Sequence, residues 1–387
     1  MKTSKFVTFN LGIKKKVCDG LLIVLAEKSI TSIVSTLNKF AAAPVLVSKK
    51  NINRSVPRYV FINSGNANAC TGIEGSNNVK IILESLSNKL NCKSSEIIIM
   101  STGIIGRQLP MNNIIKSISK KSLNDYSTIK AAAQSIMTTD KYPKYLTRSY
   151  KINSNTIVFK GICKGAGMIE PNMATMLGFI ETNVVMTKQK LNKYLKHCSD
   201  LSFNSISVDG DTSTNDCIVL TTTNQISLDL AKKSIENKFL KCAVEFFIEL
   251  SSMIVRDGEG ATKIIQLNVI NAKNTNLAQE ICKKVSHSLL VKTAMYGEDP
   301  NWGRIIASLG SINSPLSHIN KIKLYINDIL CFEKGSASDN GSSQLKKSMK
   351  KNKIIVTIDF NNGKSNQTIY FSDLSHEYVD INSKYTT

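Results

Sequence analysis

The chain has 387 residues, 42% of them hydrophobic, which is enough for one large or two ordinary globular domains and excludes disorder. Fifty Lys and Arg stand against 29 Asp and Glu, a net charge of +21. The lysines are spread along the chain beside abundant Asn, Ile and Ser, as AT-rich codons would produce, and this weighs against a nucleic-acid-binding surface. The densest cluster, Lys346, Lys347, Lys350, Lys351 and Lys353, is expected on a loop before a strand, with no aromatic residues interleaved. The start offers no apolar core for a signal peptide, and no run of ~18 apolar residues suggests a membrane span. The nine cysteines are scattered singly without a C-x-x-C pair, so reduced thiols, no zinc site and a cytoplasmic location are expected.

In chain order, Leu21 to Leu25 reads as a strand, followed by a helical piece that ends in Ala41–Val47. Tyr59–Ile62 is a buried strand running into Asn63-Ser64-Gly65-Asn66-Ala67-Asn68, whose amides are either turn formers or the lining of a polar pocket. Val79, Ile82, Leu83, Leu86 and Leu90 share one helical face. The apolar strand Glu96–Met100 ends at Ser101-Thr102-Gly103. A strand-to-loop step of this kind can fix a hydroxyl and a backbone N–H as an oxyanion hole. A helix follows over Ile129–Met137, then a strand over Thr156–Lys160.

The stretch Gly165-Ala166-Gly167-Met168-Ile169-Glu170-Pro171-Asn172-Met173-Ala174-Thr175 fits neither an ordinary helix nor an ordinary strand. A small residue followed by Thr after a glycine-rich loop suits a chain that cuts itself. The Thr175 hydroxyl would attack the Ala174 carbonyl, water would open the ester, and Thr175 would emerge with a free amine. Such an amine titrates near ~7.7–8 and can serve as base to its own hydroxyl. The bland alternative is a tight turn into a buried strand, Met176–Ile180.

Thr187 is placed to cap a helix through His197. Val208-Asp209-Gly210-Asp211-Thr212 invites a metal reading, but the spacing of a calcium loop is incomplete, and no metal is expected. An amphipathic helix covers about 233–254 and gives way to Arg256-Asp257-Gly258-Glu259-Gly260, whose Glu259 could receive a substrate ammonium. A further helix carries Leu277, Ile281, Val285 and Leu289, and Ile354, Val356 and Ile358 alternate as a strand. Strands and helices mixed throughout point to a layered α/β protein.

Seven blocks carry a family resemblance over nearly the whole chain. They are N-S-G-N-A-N-A-C-T-G at 63–72, S-T-G-I-I-G at 101–106, K-G-A-G-M-I-E-P-N-M-A-T-M-L at 164–177, V-D-G-D-T-S-T-N-D at 208–216, R-D-G-E-G-A-T-K at 256–263, D-P-N-W-G-R-I at 299–305 and the terminal Y-V-D-I-N-S-K-Y-T-T. Together they resemble the ornithine acetyltransferase family of arginine biosynthesis. The resemblance implies an α/β sandwich of the N-terminal-nucleophile type, cut at Ala174–Thr175 into an α chain (1–174) and a β chain (175–387) that assemble as an α2β2 heterotetramer. It implies Thr175 as nucleophile, Thr102 and Gly103 as oxyanion hole, and substrate contacts from Lys164, Thr175, Glu259, Asn382 and Thr387. Acetyl would pass from N2-acetylornithine to glutamate without a cofactor. In part of the family acetyl-CoA also serves as donor, and no residue here decides that activity.

Lys141 stands where the family usually has a substrate-contacting threonine, and Ile369-Tyr370-Phe371 replaces a motif that usually holds Trp-Gly. Two other readings remain. A self-processing aminopeptidase or amidohydrolase would use the same N-terminal Thr chemistry and pass the acyl group to water, against the match at Glu259 and at Asn382–Thr387. A non-catalytic basic binding protein would follow from the charge alone and predicts salt-sensitive nucleic-acid affinity.

Overall fold

The computed structural model describes residues 2–15, 17–170, 176–316, 318–338 and 342–384. A four-stranded sheet runs in the order Lys5–Phe9, Gly20–Val24, Tyr59–Asn66, Ile97–Ile104, and only its last two neighbours are parallel. Its sequences are nearly continuous apolar runs because both faces are buried. Leu21, Ile23, Val60, Ile62, Ile98 and Met100 enter one core, whereas Leu22, Tyr59, Phe61, Ile97 and Ile99 enter another. That split is the two-residue period of a strand. The second of these cores is closed by the helices Gly72–Leu90 and Met111–Lys120 through Val79, Ile82, Leu86, Ile114 and Ile118.

The first core is closed by a second sheet, which contributes Ile162, Leu177, Phe179, Cys217 and Val219. This sheet has five strands in the order Ile30–Ser35, Cys217–Ile226, Leu177–Val184, Asn155–Lys164, Lys144–Ile152. Its far face packs on the helices Lys188–Asp200 and Lys233–Arg256, where Phe159 lies against Phe239 and Phe246. The layers are therefore helix, sheet, sheet, helix, a mixed α/β sandwich. A third, seven-stranded sheet is centred on Lys353–Asp359, Ile264–Ala272 and Ser365–Ser372. The helices Thr275–Ser286, Leu289–Tyr296 and Trp302–Gly310 share its core. Among the described residues no helix is long and apolar enough to cross a membrane.

Several elements differ from the sequence reading. The helix expected to end near Val47 instead begins there, as Ala43–Arg54, with Pro44 in its first turn, where a missing N–H costs nothing. The helix expected through Leu289 is two helices. Ser288 starts the second by accepting the Val291 N–H at 3.3 Å, and Leu289 is exposed. Lys346 and Lys347 lie on a helix, Ser342–Ser348, and not on a loop, because Leu345 and the following Met349 anchor one side in the core. The strand expected to stop before Ser101 continues to Ile104, and the C-terminal segment forms the helix His376–Lys384. Thr187 does cap its helix, accepting the Lys190 N–H.

Candidate active site

The strands Asn155–Lys164 and Leu177–Val184 are antiparallel neighbours, and Lys164 pairs with Leu177. The chain between them leaves the sheet at Gly165 and returns at Met176. On the outgoing side Ala166 O accepts the Glu259 N–H at 2.9 Å, and the Met168 and Ile169 N–H groups donate to Asp209 at 2.6 and 2.9 Å. Glu170 is buried against His287 Nε2, the Lys283 ammonium at 3.3 Å and the Ser207 hydroxyl at 3.3 Å. On the returning side the Met176 N–H donates to Asp216 Oδ1 at 2.8 Å. The loop is thus held at both flanks. Ala174 and Thr175, the expected cleavage pair and nucleophile, lie outside the described residues, as does Thr387.

Beside this loop is a cavity of about 170 Å³. Its walls include Ala67, Thr102, Gly103, Thr138, Thr139, Lys164, Gly167, Asp209, Asp211, Glu259, Tyr378 and Asn382. Thr102, Gly103, Lys164, Glu259 and Asn382, drawn from four distant parts of the sequence, therefore meet in one place. The volume lies below the ~300–1,000 Å³ of drug-sized pockets and suits a small metabolite.

Thr102 and Gly103 owe their position to the parallel pairing of their strand, in which Ser64 faces Thr102 and Gly65 faces Gly103. Gly103 has φ 129°, and a Cβ there would fall 2.2 Å from the Gly65 carbonyl carbon and 2.5 Å from Asn66 N. Both the dihedral and the close backbone approach demand glycine. Buried Asn215 ties the 208–216 loop to this strand end by donating to Ala67 O at 2.6 Å and Ser101 O at 2.9 Å. The asparagine amides of 63–68 do not line the cavity. Asn63, Asn66 and Asn68 donate to the backbone carbonyls of Asn66, of Arg107 and Gln108, and of Gly75, which they satisfy because buried carbonyls need partners.

Glu259 is 7% exposed, and its Oε2 accepts the Asn382 amide at 2.9 Å. The wall opposite is Gly167, where a Cβ would lie 2.4 Å from that oxygen. Asp209 and Asp211, which invited a metal reading, both line the cavity. Asp209 spends both oxygens on backbone N–H groups, yet burial still pushes its carboxyl up to about 6. Burial, with Asp209, Asp211 and Glu259 nearby, also raises the Tyr378 phenol.

Behind the cavity lies a charge network that the sequence reading missed. Lys144 is fully buried between Asp140, whose Oδ1 it contacts at 2.6 Å, and Asp257. Asp140 also accepts the Gly165 N–H at 2.8 Å and the Thr138 N–H at 2.8 Å, and its Oδ2 lies 3.8 Å from Lys164 Nζ. Burial would raise the Asp140 carboxyl, but Lys164, Lys144 and these hydrogen bonds hold it well below the usual carboxylate range. Lys164 shifts downward because burial outweighs the attraction of Asp140, and Lys144 adds to the shift. Lys141, the departure from the family pattern, points away. Its N–H donates to Asp257, and its ammonium reaches Glu377 at 3.0 Å on the C-terminal helix, both ends half-exposed.

Fold and site together define a mixed α/β protein with a small, polar, carboxylate-rich cavity at a glycine-rich loop. The model of the ArgJ family matches residues 5–387. The arginine biosynthesis bifunctional protein ArgJ of Pseudomonas fluorescens is 38% identical over 375 residues, covering 95% of this chain and 92% of that protein. The mitochondrial protein of the same name from Dictyostelium discoideum is 38% identical over 410 residues, covering 100% and 92%. The crystal structure of the Bacillus halodurans ArgJ protein aligns with a TM-score of 0.50 and 30% identity, over 54% of this chain and 98% of that one. The chain belongs to the ArgJ family.

Proposed function

We propose that this protein transfers the acetyl group of N2-acetyl-L-ornithine to L-glutamate in arginine biosynthesis, through an acetyl ester on Thr175. In a first, self-processing event the Thr175 hydroxyl oxygen bonds to the Ala174 carbonyl carbon, the Ala174–Thr175 peptide bond breaks, and water hydrolyses the ester. The products are chains 1–174 and 175–387, paired as α2β2. In each turnover the free Thr175 amine takes the hydroxyl proton, Oγ attacks the acetyl carbonyl, and ornithine leaves with that proton on its α-nitrogen. The glutamate α-amine then attacks the ester and restores the hydroxyl. Thr102 and the Gly103 N–H would hold the oxyanion of each tetrahedral intermediate. Glu259 and Asn382 would take charged and polar ends of the amino acids, and the buried Lys164 a carboxylate. The acyl group is carried by the protein, so no cofactor is needed.

The observation that carries this reading is the convergence of Thr102, Gly103, Lys164, Glu259 and Asn382 on one cavity beside the 165–176 loop. Family membership and the relatives' names as bifunctional proteins of arginine biosynthesis agree with it. The test is intact mass under denaturing conditions for the wild type and Thr175→Ala, followed by transfer of labelled acetyl from acetylornithine to glutamate. Two fragments meeting at Ala174–Thr175, absent from the variant, with transfer only in the wild type, are expected. A single uncut chain in both samples refutes the mechanism. Cutting with release of free acetate and no acetylglutamate would make the protein a hydrolase.

A further inference from the structure

We propose that Asp140 is a positioning residue of the substrate site, which keeps the Lys164 ammonium charged while leaving its N–H donors free for an amino-acid carboxylate. The inference deepens the function proposed above and rests on it. Lys164 ends its strand, and its side chain is 3% exposed and lines the cavity. Among the described residues its ammonium makes no hydrogen bond. Its one ion pair there is with Asp140 Oδ2 at 3.8 Å, in Coulomb contact but beyond hydrogen-bond range.

That separation follows from what else the Asp140 carboxylate holds. Oδ1 accepts from Lys144 Nζ at 2.6 Å and from the Gly165 N–H at 2.8 Å, and Oδ2 accepts the Thr138 N–H at 2.8 Å. Lys144 pairs in turn with Asp257, and both side chains are fully buried. The network therefore sets two ammoniums against two carboxylates. Glu259 and Asp216 attract Lys164 from farther away, and Lys144 and Lys14 repel it.

Burial alone drives an ammonium to lose its proton, and Asp140 is the largest force that opposes this at Lys164. A carboxylate in direct hydrogen bond would do the same but would occupy a donor that the substrate needs. Coulomb attraction falls only as the inverse of distance, so about three quarters of it survives from about 2.8 Å out to 3.8 Å, where the hydrogen bond is gone. Anchoring Gly165 and Thr138 requires acceptor oxygens alone. Keeping Lys164 charged requires the negative charge.

The experiment compares wild type with Asp140→Asn, which keeps the shape and an acceptor oxygen but carries no charge, with circular dichroism and thermal midpoints as controls for folding. The first readout is KM and kcat for acetylornithine against pH. Lys164 is charged below its titration and neutral above it, so KM should rise with pH. In Asp140→Asn that rise should begin about one pH unit or more lower, the size expected for losing an opposite charge within about 4–6 Å, with little change in kcat. The substrate's own titration is common to both enzymes. The second readout, independent of activity, is NMR of protein labelled at the lysine Cε carbons, with Lys164→Met to assign the signal. The Lys164 signal should titrate lower in Asp140→Asn by the same amount. An unmoved signal and an unmoved KM limb in folded Asp140→Asn would make Asp140 an anchor only, and the proposal wrong. If the Asn chain does not fold, the comparison is made between Asp140→Glu and Asp140→Gln. A lower midpoint in Gln than in Glu supports the proposal, and equal midpoints overturn it. A wild type that transfers no acetyl sinks the proposed function, while the NMR midpoint still decides the link between Asp140 and Lys164.

Discussion

Gly167 faces Glu259 so closely that replacing it with alanine tests the binding role of that carboxylate without touching it. The added Cβ would lie 2.4 Å from Glu259 Oε2, 2.6 Å from Cδ and 2.8 Å from Oε1. Gly167 does not have the positive φ that only glycine tolerates, so the backbone accepts alanine. The clash falls on the far end of a flexible side chain, and the carboxylate yields by rotating away. It then leaves Asn382 Nδ2, now at 2.9 Å, and the place where a substrate ammonium would sit. A hydrogen bond to a charged group is worth about 1.5–3 kcal/mol, which at about 1.4 kcal/mol per decade is about 10- to 140-fold in KM. Stability should fall by about 0.5–2.6 kcal/mol, because the lost Asn382 contact costs about 1.5–3 kcal/mol and Gly→Ala at a compatible backbone returns only about 0.4–1 kcal/mol through the unfolded chain.

The assay is steady-state KM and kcat for acetylornithine and glutamate on protein whose cutting has been checked by mass, with thermal midpoints. Gly167→Ala should raise KM and lower the midpoint modestly, with the protein still folded at the assay temperature. Combined with Glu259→Ala, which opens the space, it should add nothing further, since coupled sites are non-additive. An unchanged KM in folded Gly167→Ala protein, or full additivity with Glu259→Ala, would refute the reasoning.

Three further outcomes are expected. Lys144→Met strands the buried carboxylates of Asp140 and Asp257 and should cost about 3–5 kcal/mol at pH 7 by thermal or denaturant unfolding. The folded Asp140 pKa is depressed, so its contribution is present above the unfolded value and lost as pH falls below about 4; the deficit of Lys144→Met should shrink there. Asp209, raised to about 6, is ionised above that pH and neutral below it. The KM of acetylornithine, whose side chain is an ammonium, should therefore rise as pH falls through about 6, and Asp209→Asn should remove that limb. Lys141→Thr breaks only a half-exposed pair with Glu377, so KM should stay within about twofold and stability within about 1 kcal/mol.

Much of the sandwich was legible because strand period and burial coincide. Leu21, Leu22 and Ile23 read as one apolar run, and the structure divides them between two cores. Periodicity failed where an exposed residue kept the rhythm. Leu289 continues the spacing of Leu277, Ile281 and Val285 but is 65% exposed, one residue past the cap at Ser288. In the site, the residues legible beforehand sit in short glycine-bearing blocks, Asn382 in the glycine-free terminal block excepted. Lys144 was not legible: Asp140 stands only four residues before it, but its other partner Asp257 lies 113 residues away, and nothing local marks any of the three as buried. Asp216 ends a block already noted, yet its contact with Met176 spans 40 residues and appears only when two strands pair.

The same distinction between local and global charge bears on what the molecule can bind. The chain carries +21, which by itself would favour phosphate backbones. The described walls of the cavity reverse that sign: Asp209, Asp211 and Glu259 face it against Lys164 alone, and Lys164 is already 3.8 Å from Asp140. At these separations buried charges are little screened, whereas surface lysines are screened within ~8–10 Å at physiological salt. A polyanion would meet three carboxylates in the cavity wall, while the amino-acid substrates of the proposed function would meet a group of opposite charge for both ammonium and carboxylate. On the proposed function, selectivity would be set by these four side chains, with the surface lysines screened from it.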